Sequence, residues 1–179
     1  MASPSLPSGF LVTGVSGSGK TTVGKALAGR LGWDFLDADD FHPPANVAKM
    51  TDGIPLDDSD RTPWLAALHE QLLSTLKADR HPVLACSALK ERYRRQLLEG
   101  LNGFLILHLV GTYDLIWSRM SGREGHYMHP ELLRSQFEIL EGPENAMKLD
   151  ISIPLDEMLD TIMDTYIHEK AQNDPTDNR

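Results

Sequence analysis

Eight consecutive residues, Gly14-Val15-Ser16-Gly17-Ser18-Gly19-Lys20-Thr21, set glycines, a lysine and a hydroxyl at the spacing G-x-x-x-x-G-K-[ST]. That combination suits one kind of chemistry, the holding of a polyphosphate. Glycines let the backbone bend tightly and approach an anion. Successive N–H groups then converge as an anion-binding nest, and a helix starting at the loop adds its positive end. Lys20 has the reach for the β- and γ-phosphates and Thr21 a hydroxyl for Mg²⁺. Thr22 and Arg119 complete the residues assigned to the nucleotide. A chance match in a chain of 179 residues is on the order of one in a hundred from average residue usage.

A second acidic group, Asp37-Ala38-Asp39-Asp40-Phe41-His42-Pro43, follows an apolar run. Two carboxylates two residues apart at a strand end project to the same side. One can serve Mg²⁺, which prefers oxygen ligands and retains waters. The other can orient a substrate hydroxyl toward the γ-phosphate, because phosphoryl transfer is catalysed by positioning and charge neutralisation. Asp-rich turns are also common as plain solvated loops. Basic residues form three further groups: Arg61; Lys90 and Arg94 beside Ser87 and Tyr93; and Arg119, Arg123 and His126 around a glycine-broken stretch. A charged stretch there suits a mobile lid whose arginine neutralises the transferring phosphoryl group. Cys86 sits inside an apolar run and reads as a small core residue rather than a nucleophile. No Cys/His cluster has zinc spacing.

The elements needed to hold these residues are legible as an alternation. Phe10–Thr13, Trp33–Asp37, Val83–Cys86, Phe104–Val110 and Lys148–Ile153 read as strands. Between them lie helical periodicities, with Val23, Ala26, Leu27 and Leu31 on one helix and Trp64, Leu65, Leu68, Leu72 and Leu76 on another. The second of these helices is expected to open at Thr62-Pro63. A short helix is expected around Ala45–Met50, and others over Lys90–Glu99, from Tyr113, from Pro130 and from Leu155. Strands alternating with helices predict an α/β fold, a parallel sheet covered on both faces, with ligands at the carboxyl ends of its strands. Residues 1–8 read as a disordered lead-in, 9–170 as one domain with a lid at about 119–130, and 171–179 as a polar tail.

Bulk composition narrows the classes. The formal charge is −9 with no Lys/Arg-rich run, which disfavours a grip on nucleic acid. No apolar stretch approaches a membrane span, and residues 1–9 lack the pattern of a signal peptide. One cysteine precludes an internal disulfide, in keeping with a reducing compartment. The expected location is the cytoplasm.

Taken together the residues resemble the gluconate kinase family, within the shikimate/nucleoside-monophosphate kinase-like P-loop kinases. The resemblance spans nearly the whole chain. It is carried by residues 14–20 and 37–43, Asn46, Lys49-Met50, the run at 53–58, Asp60-Arg61, Pro63-Trp64, Cys86-Ser87-Ala88-Leu89-Lys90, Tyr93-Arg94, Arg123–His126, Ser135–Glu138 and Leu140-Glu141. Tyr127 stands where the family pattern leads us to expect Phe. The resemblance implies ATP-dependent phosphorylation of D-gluconate at its 6-hydroxyl. It also implies a three-layer P-loop kinase fold with a five-stranded parallel sheet, a mobile lid and a homodimer. It gives Asp39 the role of hydroxyl-orienting carboxylate, Asp37 that of a Mg²⁺-side carboxylate and Arg123 that of lid arginine. Gluconate, a polyol with one carboxylate, needs polar partners and a cation. Asp39, His42 and Gln136 can serve its hydroxyls; Lys49, Arg61, Lys90, Arg94 and His126 form the pool of cations for its charged end. The competing readings are a shikimate or nucleotide kinase, a GTPase-like switch (no Asn-Lys-x-Asp tetrapeptide occurs) and a nucleic-acid-linked ATPase.

Overall fold

The computed structural model describes residues 7–122 and 130–172, with side chains described to 165. Five strands form its sheet: β1 (Gly9–Thr13), β2 (Asp34–Asp37), β3 (Pro82–Ala85), β4 (Phe104–Val110) and β5 (Ala146–Asp150). Their order across the sheet is β2-β3-β1-β4-β5, and every neighbouring pair is parallel. The five-stranded parallel sheet expected from the alternation is therefore present. The helices are α1 (Lys20–Leu31), α2 (Pro44–Thr51), α3 (Asp58–Lys77), α4 (Glu91–Leu98), α5 (Tyr113–Ser121), α6 (Pro130–Ile139) and α7 (Leu155–Gln172).

Strand alternation splits the core into two layers. Phe10 and Val12 of β1 face a cluster containing Val23 and Leu27 of α1, Ile116 of α5, Leu133 of α6 and Leu159 and Ile162 of α7. Leu11, between them, faces Trp64, Leu65, Leu68 and Leu72 of α3 and Leu97 of α4. Helices on both faces leave the strand ends open. Because β1 lies between β3 and β4, successive connections depart in opposite directions from it, and this makes a crevice at its carboxyl end.

Four boundaries differ from expectation. Helix α3 begins at Asp58, not at Thr62-Pro63, so Arg61 lies within it and Pro63 is interior. The Asp57 carboxylate accepts from the Asp60 N–H at 3.0 Å, and the Asp60 carboxylate accepts from the Asp57 N–H at 2.9 Å. This reciprocal capping starts the helix a turn before the proline. The last strand runs from Ala146 to Asp150 rather than to Ile153. Asp150 Oδ1 accepts from the Ser152 N–H at 2.8 Å and turns the chain out of the sheet. Ser8, at the end of the expected lead-in, donates its N–H to Gly103 O at 2.9 Å and its hydroxyl to Asn102 O. At the other end α7 continues through Ala171 and Gln172. The rest of the lead-in (1–6), the core of the expected lid (123–129) and the end of the tail (173–179) lie outside the described residues. Of the remaining lid positions, 119–121 belong to α5 and Pro130 opens α6. Among the described residues no helix is long and apolar enough to cross a membrane.

Candidate active site

The glycine loop leaves β1 at Thr13 and enters α1 at Lys20. Gly19 precedes the helix at φ +98°, a conformation that side chains with a Cβ resist. Gly17 sits at φ +78°, and a Cβ there would lie 2.4 Å from the Met120 sulfur, so a larger residue strains the turn and must push the Met120 side chain of α5 aside. Val15 and Ser18 are buried, and the Ser18 hydroxyl has no hydrogen-bond partner among the described residues. The Val15 carbonyl accepts from the Ser18 N–H at 3.3 Å and from Lys20 Nζ at 3.0 Å. Burial pushes the Lys20 ammonium below its ordinary pKa, opposed by Asp39, Cys86 and Asp37. A desolvated cation beside a row of loop N–H groups is an anion site.

The two carboxylates sit differently from a simple strand end. Asp37 closes β2, but Asp39 belongs to a short 3-10 helix over Ala38–Phe41 that Asp37 itself caps. Asp37 Oδ1 accepts from the Asp39 N–H at 3.1 Å, and its Oδ2 accepts from the Thr21 hydroxyl at 2.8 Å. The strand-alternation argument therefore does not place Asp39. The capped turn does, leaving its side chain 85% exposed toward solvent while Asp37 is held against the loop. Thr21 Oγ1 and Asp37 form a pair of hard oxygen donors, a set that fits Mg²⁺, which takes few protein ligands and completes its shell with phosphate and water. No group of three or more metal-ligating side chains occurs among the described residues. Thr22, one residue on, is exposed in the first turn of α1.

His42 follows that turn. Its ring stacks on Trp64 with centroids 4.2 Å apart, Nε2 is 3.9 Å from Asp39 Oδ1, and Nδ1 is buried without a hydrogen-bond partner among the described residues. Burial lowers its pKa, with Asp39 opposing and Arg61 reinforcing the shift. Trp64 is fixed in turn by a 2.8 Å bond from its indole N–H to Ala38 O. Trp64 was legible only as an apolar helix position; its role under His42 required the fold.

The cation pool separates by partner. Lys49 is bound by both oxygens of Asp60 at 2.7 and 2.8 Å. Arg94 is buried and spends its guanidinium on Ala88 O at 2.9 Å and on Glu91 Oε2 at 2.8 and 3.2 Å. Arg61 donates from Nη1 to the Tyr93 hydroxyl at 3.2 Å and lies 5.2 Å from that ring's centre. Lys90 Nζ lies 5.9 Å from the same ring, just ahead of α4. Tyr93 donates to Asp58 Oδ1 at 2.5 Å, and Arg92 also pairs with Asp58. Among the described residues, neither Arg61 nor Lys90 has a carboxylate at ion-pair distance. Asp58 and Asp60 had no signal of this kind in the sequence beyond helix-start spacing, whereas Glu91 stands three residues before Arg94 on one helix, a spacing that does signal a pair. Arg119 donates to Ile151 O at 2.6 Å, at the end of β5. Gln136 meets the phosphate loop instead of the acidic side, with Oε1 accepting from Ser16 N–H at 2.7 Å and Nε2 donating to Ser16 Oγ at 3.0 Å. Arg123, His126 and Tyr127 lie outside the described residues. The Cys86 thiol is buried and its pKa pushed up to about 12 by desolvation, which suits a core residue and not a nucleophile.

Residues 10–139 match the family described as AAA domain. The chain is 45% identical to the probable gluconokinase of Rattus norvegicus, over 88% of this chain and 97% of that one. It is 44% identical to the thermosensitive gluconokinase of Escherichia coli K12, over 80% of this chain and 79% of that one. Among solved structures, a gluconokinase from Sinorhizobium meliloti superposes with a TM-score of 0.82 at 40% identity, covering 93% of this chain and 95% of that one. A shikimate kinase from Acinetobacter baumannii reaches a TM-score of 0.56 at 19% identity, a likeness of fold alone.

Proposed function

Since the chain belongs to the gluconokinase family of P-loop kinases, we propose that it phosphorylates D-gluconate at the 6-hydroxyl with ATP, yielding 6-phospho-D-gluconate and ADP. The observation that carries the reading is the coupling of the two halves through Thr21 and Asp37. The phosphate loop and the turn presenting Asp39 are joined by one hydrogen bond, so donor and acceptor are held against each other.

In this reading the loop N–H groups, the α1 N-terminus and Lys20 hold the β- and γ-phosphates. Lys20 keeps one N–H on the Val15 carbonyl and turns the others to phosphoryl oxygens. Asp39 accepts the hydrogen bond of the 6-hydroxyl and aims that oxygen in line at the γ-phosphorus. The new O–P bond forms as the bond to the bridging oxygen of ADP breaks, and the hydroxyl proton passes to an Asp39 carboxylate oxygen. Thr21 and Asp37 would hold Mg²⁺, which neutralises charge on the β- and γ-phosphates when bound. His42, braced on Trp64, serves a neighbouring hydroxyl.

The charged end of gluconate goes to Arg61, with Lys90 beside it, because Lys49, Arg92 and Arg94 are already matched by Asp60, Asp58 and Glu91. Arg119 borders the nucleotide. Arg123 as lid arginine and a homodimer follow from the family resemblance; His126 adds a further cation, and a cytoplasmic location is the reading that the composition favours. ADP release coupled to a reporter enzyme, with gluconate, shikimate or a nucleoside monophosphate as sole acceptor, tests the assignment. Gluconate-dependent release supports it; release with shikimate or a nucleotide in place of gluconate overturns it.

A further inference from the structure

Gln136 enters the site by an unexpected route. As a residue type it suits substrate hydroxyls, but both ends of its amide are spent on Ser16. The consequence lies in the peptide unit that Ser16 shares with Val15. In a trans peptide the N–H and the C=O point in opposite directions and turn together, and no cis bond occurs among the described residues. The N–H of the Val15–Ser16 peptide donates to Gln136 Oε1 at 2.7 Å, while its C=O accepts Lys20 Nζ at 3.0 Å. Gln136 and Lys20 thus grip the same rigid plane from opposite sides.

We infer that Gln136 is a positioning residue for Lys20. By holding the Val15–Ser16 peptide in one orientation, it keeps the Val15 carbonyl where the ammonium needs it and keeps that ammonium at the loop. The alternative pull is present, since Asp39 and Asp37 both act electrostatically on Lys20. A free peptide can rotate its carbonyl away and release the lysine toward those carboxylates. Hydrogen bonds in such a chain also polarise one another, so the amide strengthens the Val15 carbonyl as an acceptor.

The frame that holds Gln136 is itself fixed. Leu133, one turn earlier on α6, is fully buried. Phe137, the next residue, packs against Tyr113 with ring centres 5.7 Å apart. Just past the helix, the Glu141 N–H donates to Leu89 O at 2.8 Å, and Glu141 Oε2 accepts from the Glu91 N–H at 2.7 Å. A glutamine on so anchored a helix can dictate the loop's geometry rather than follow it.

The inference rests on the kinase reading for the role of Lys20, but its test need not use gluconate. Gln136→Met keeps the side chain's length and removes both hydrogen bonds. Titration with a non-hydrolysable ATP analogue, without acceptor, should show affinity falling about tenfold, the equivalent of one charge-assisted hydrogen bond between Lys20 and phosphate. With gluconate, kcat/KM for ATP should fall by at least as much while KM for gluconate stays within twofold. Gln136→Glu keeps an oxygen for the Ser16 N–H but adds charge beside the phosphates. It should raise KM for ATP while holding kcat within threefold of wild type. Analogue affinity and kcat/KM for ATP both within twofold of wild type in Gln136→Met would overturn the inference. So would a raised KM for gluconate alone, which makes Gln136 a substrate ligand, or a lowered Tm with unchanged kinetics, which makes it structural. A loss of kcat in Gln136→Glu equal to that in Gln136→Met overturns it as well. If gluconate proves not to be the acceptor, weakened analogue binding in Gln136→Met still upholds the positioning role.

Discussion

Replacing Arg61 with leucine isolates the assignment of the gluconate carboxylate. A guanidinium has five N–H donors, and in Arg61 one is given to the Tyr93 hydroxyl at 3.2 Å. The remaining donors meet no protein carboxylate among the described residues. A hydrogen bond to a charged group contributes about 1.5–3 kcal/mol, so its loss should raise KM for gluconate roughly 10- to 150-fold. Lys90, over the same tyrosine ring at 5.9 Å, retains part of the attraction and draws the result toward the lower end. KM for ATP should be unchanged, because Lys20 and the loop are untouched. Arg61→Lys, which keeps the charge but not the fork, should fall between the two. The assay is coupled ADP release at varied gluconate, repeated with D-glucitol, a polyol of equal length without the carboxylate. Wild type should prefer gluconate strongly, and Arg61→Leu should lose most of that preference. A folded Arg61→Leu protein with KM for gluconate within twofold of wild type would refute the reasoning and move the carboxylate elsewhere.

Asp39→Asn should cut turnover by at least about a hundredfold, as expected on removing a general base, while ATP-analogue binding stays within a few-fold; near-normal turnover excludes a central role for Asp39. Asp57→Ala breaks the reciprocal cap of α3 and should lower Tm by roughly 2–4 °C, read by thermal unfolding, with little change in KM for ATP. His42 and His108 are both held below the ordinary histidine pKa of 6.5 by burial. Below that pH the unfolded chain therefore binds protons that the folded chain does not, and stability falls as pH drops through it. Denaturant midpoints between pH 7 and 5 should decline, ahead of any carboxylate titration, and His108→Gln should flatten the slope.

The order of strands and helices, the glycine loop and the acidic turn could all be read along the chain, because each depends on neighbours a few residues apart. Continuous apolar runs and helical spacing placed the buried elements, and G-x-x-x-x-G-K-[ST] specifies a local backbone path that needs no distant partner. The start of α3 was missed for a local reason as well. Pro63 is a strong visual cue, yet the Asp57–Asp60 exchange starts the helix before it. What the sequence could not say is which polar groups neutralise one another. Lys49, Arg61, Lys90 and Arg94 were equivalent as residue types. Only folding brought Asp60 to Lys49 and turned Arg94 into the interior, leaving Arg61 and Lys90 without an ion-pair partner among the described residues. Gln136 was likewise a generic amide until α6 carried it to a loop 120 positions away. Charge pairing and hydrogen bonding act over a few ångströms in space. The sequence by itself determined the phosphate loop and its sheet; the tertiary structure decided which side chains remain available around it and which are spent on each other.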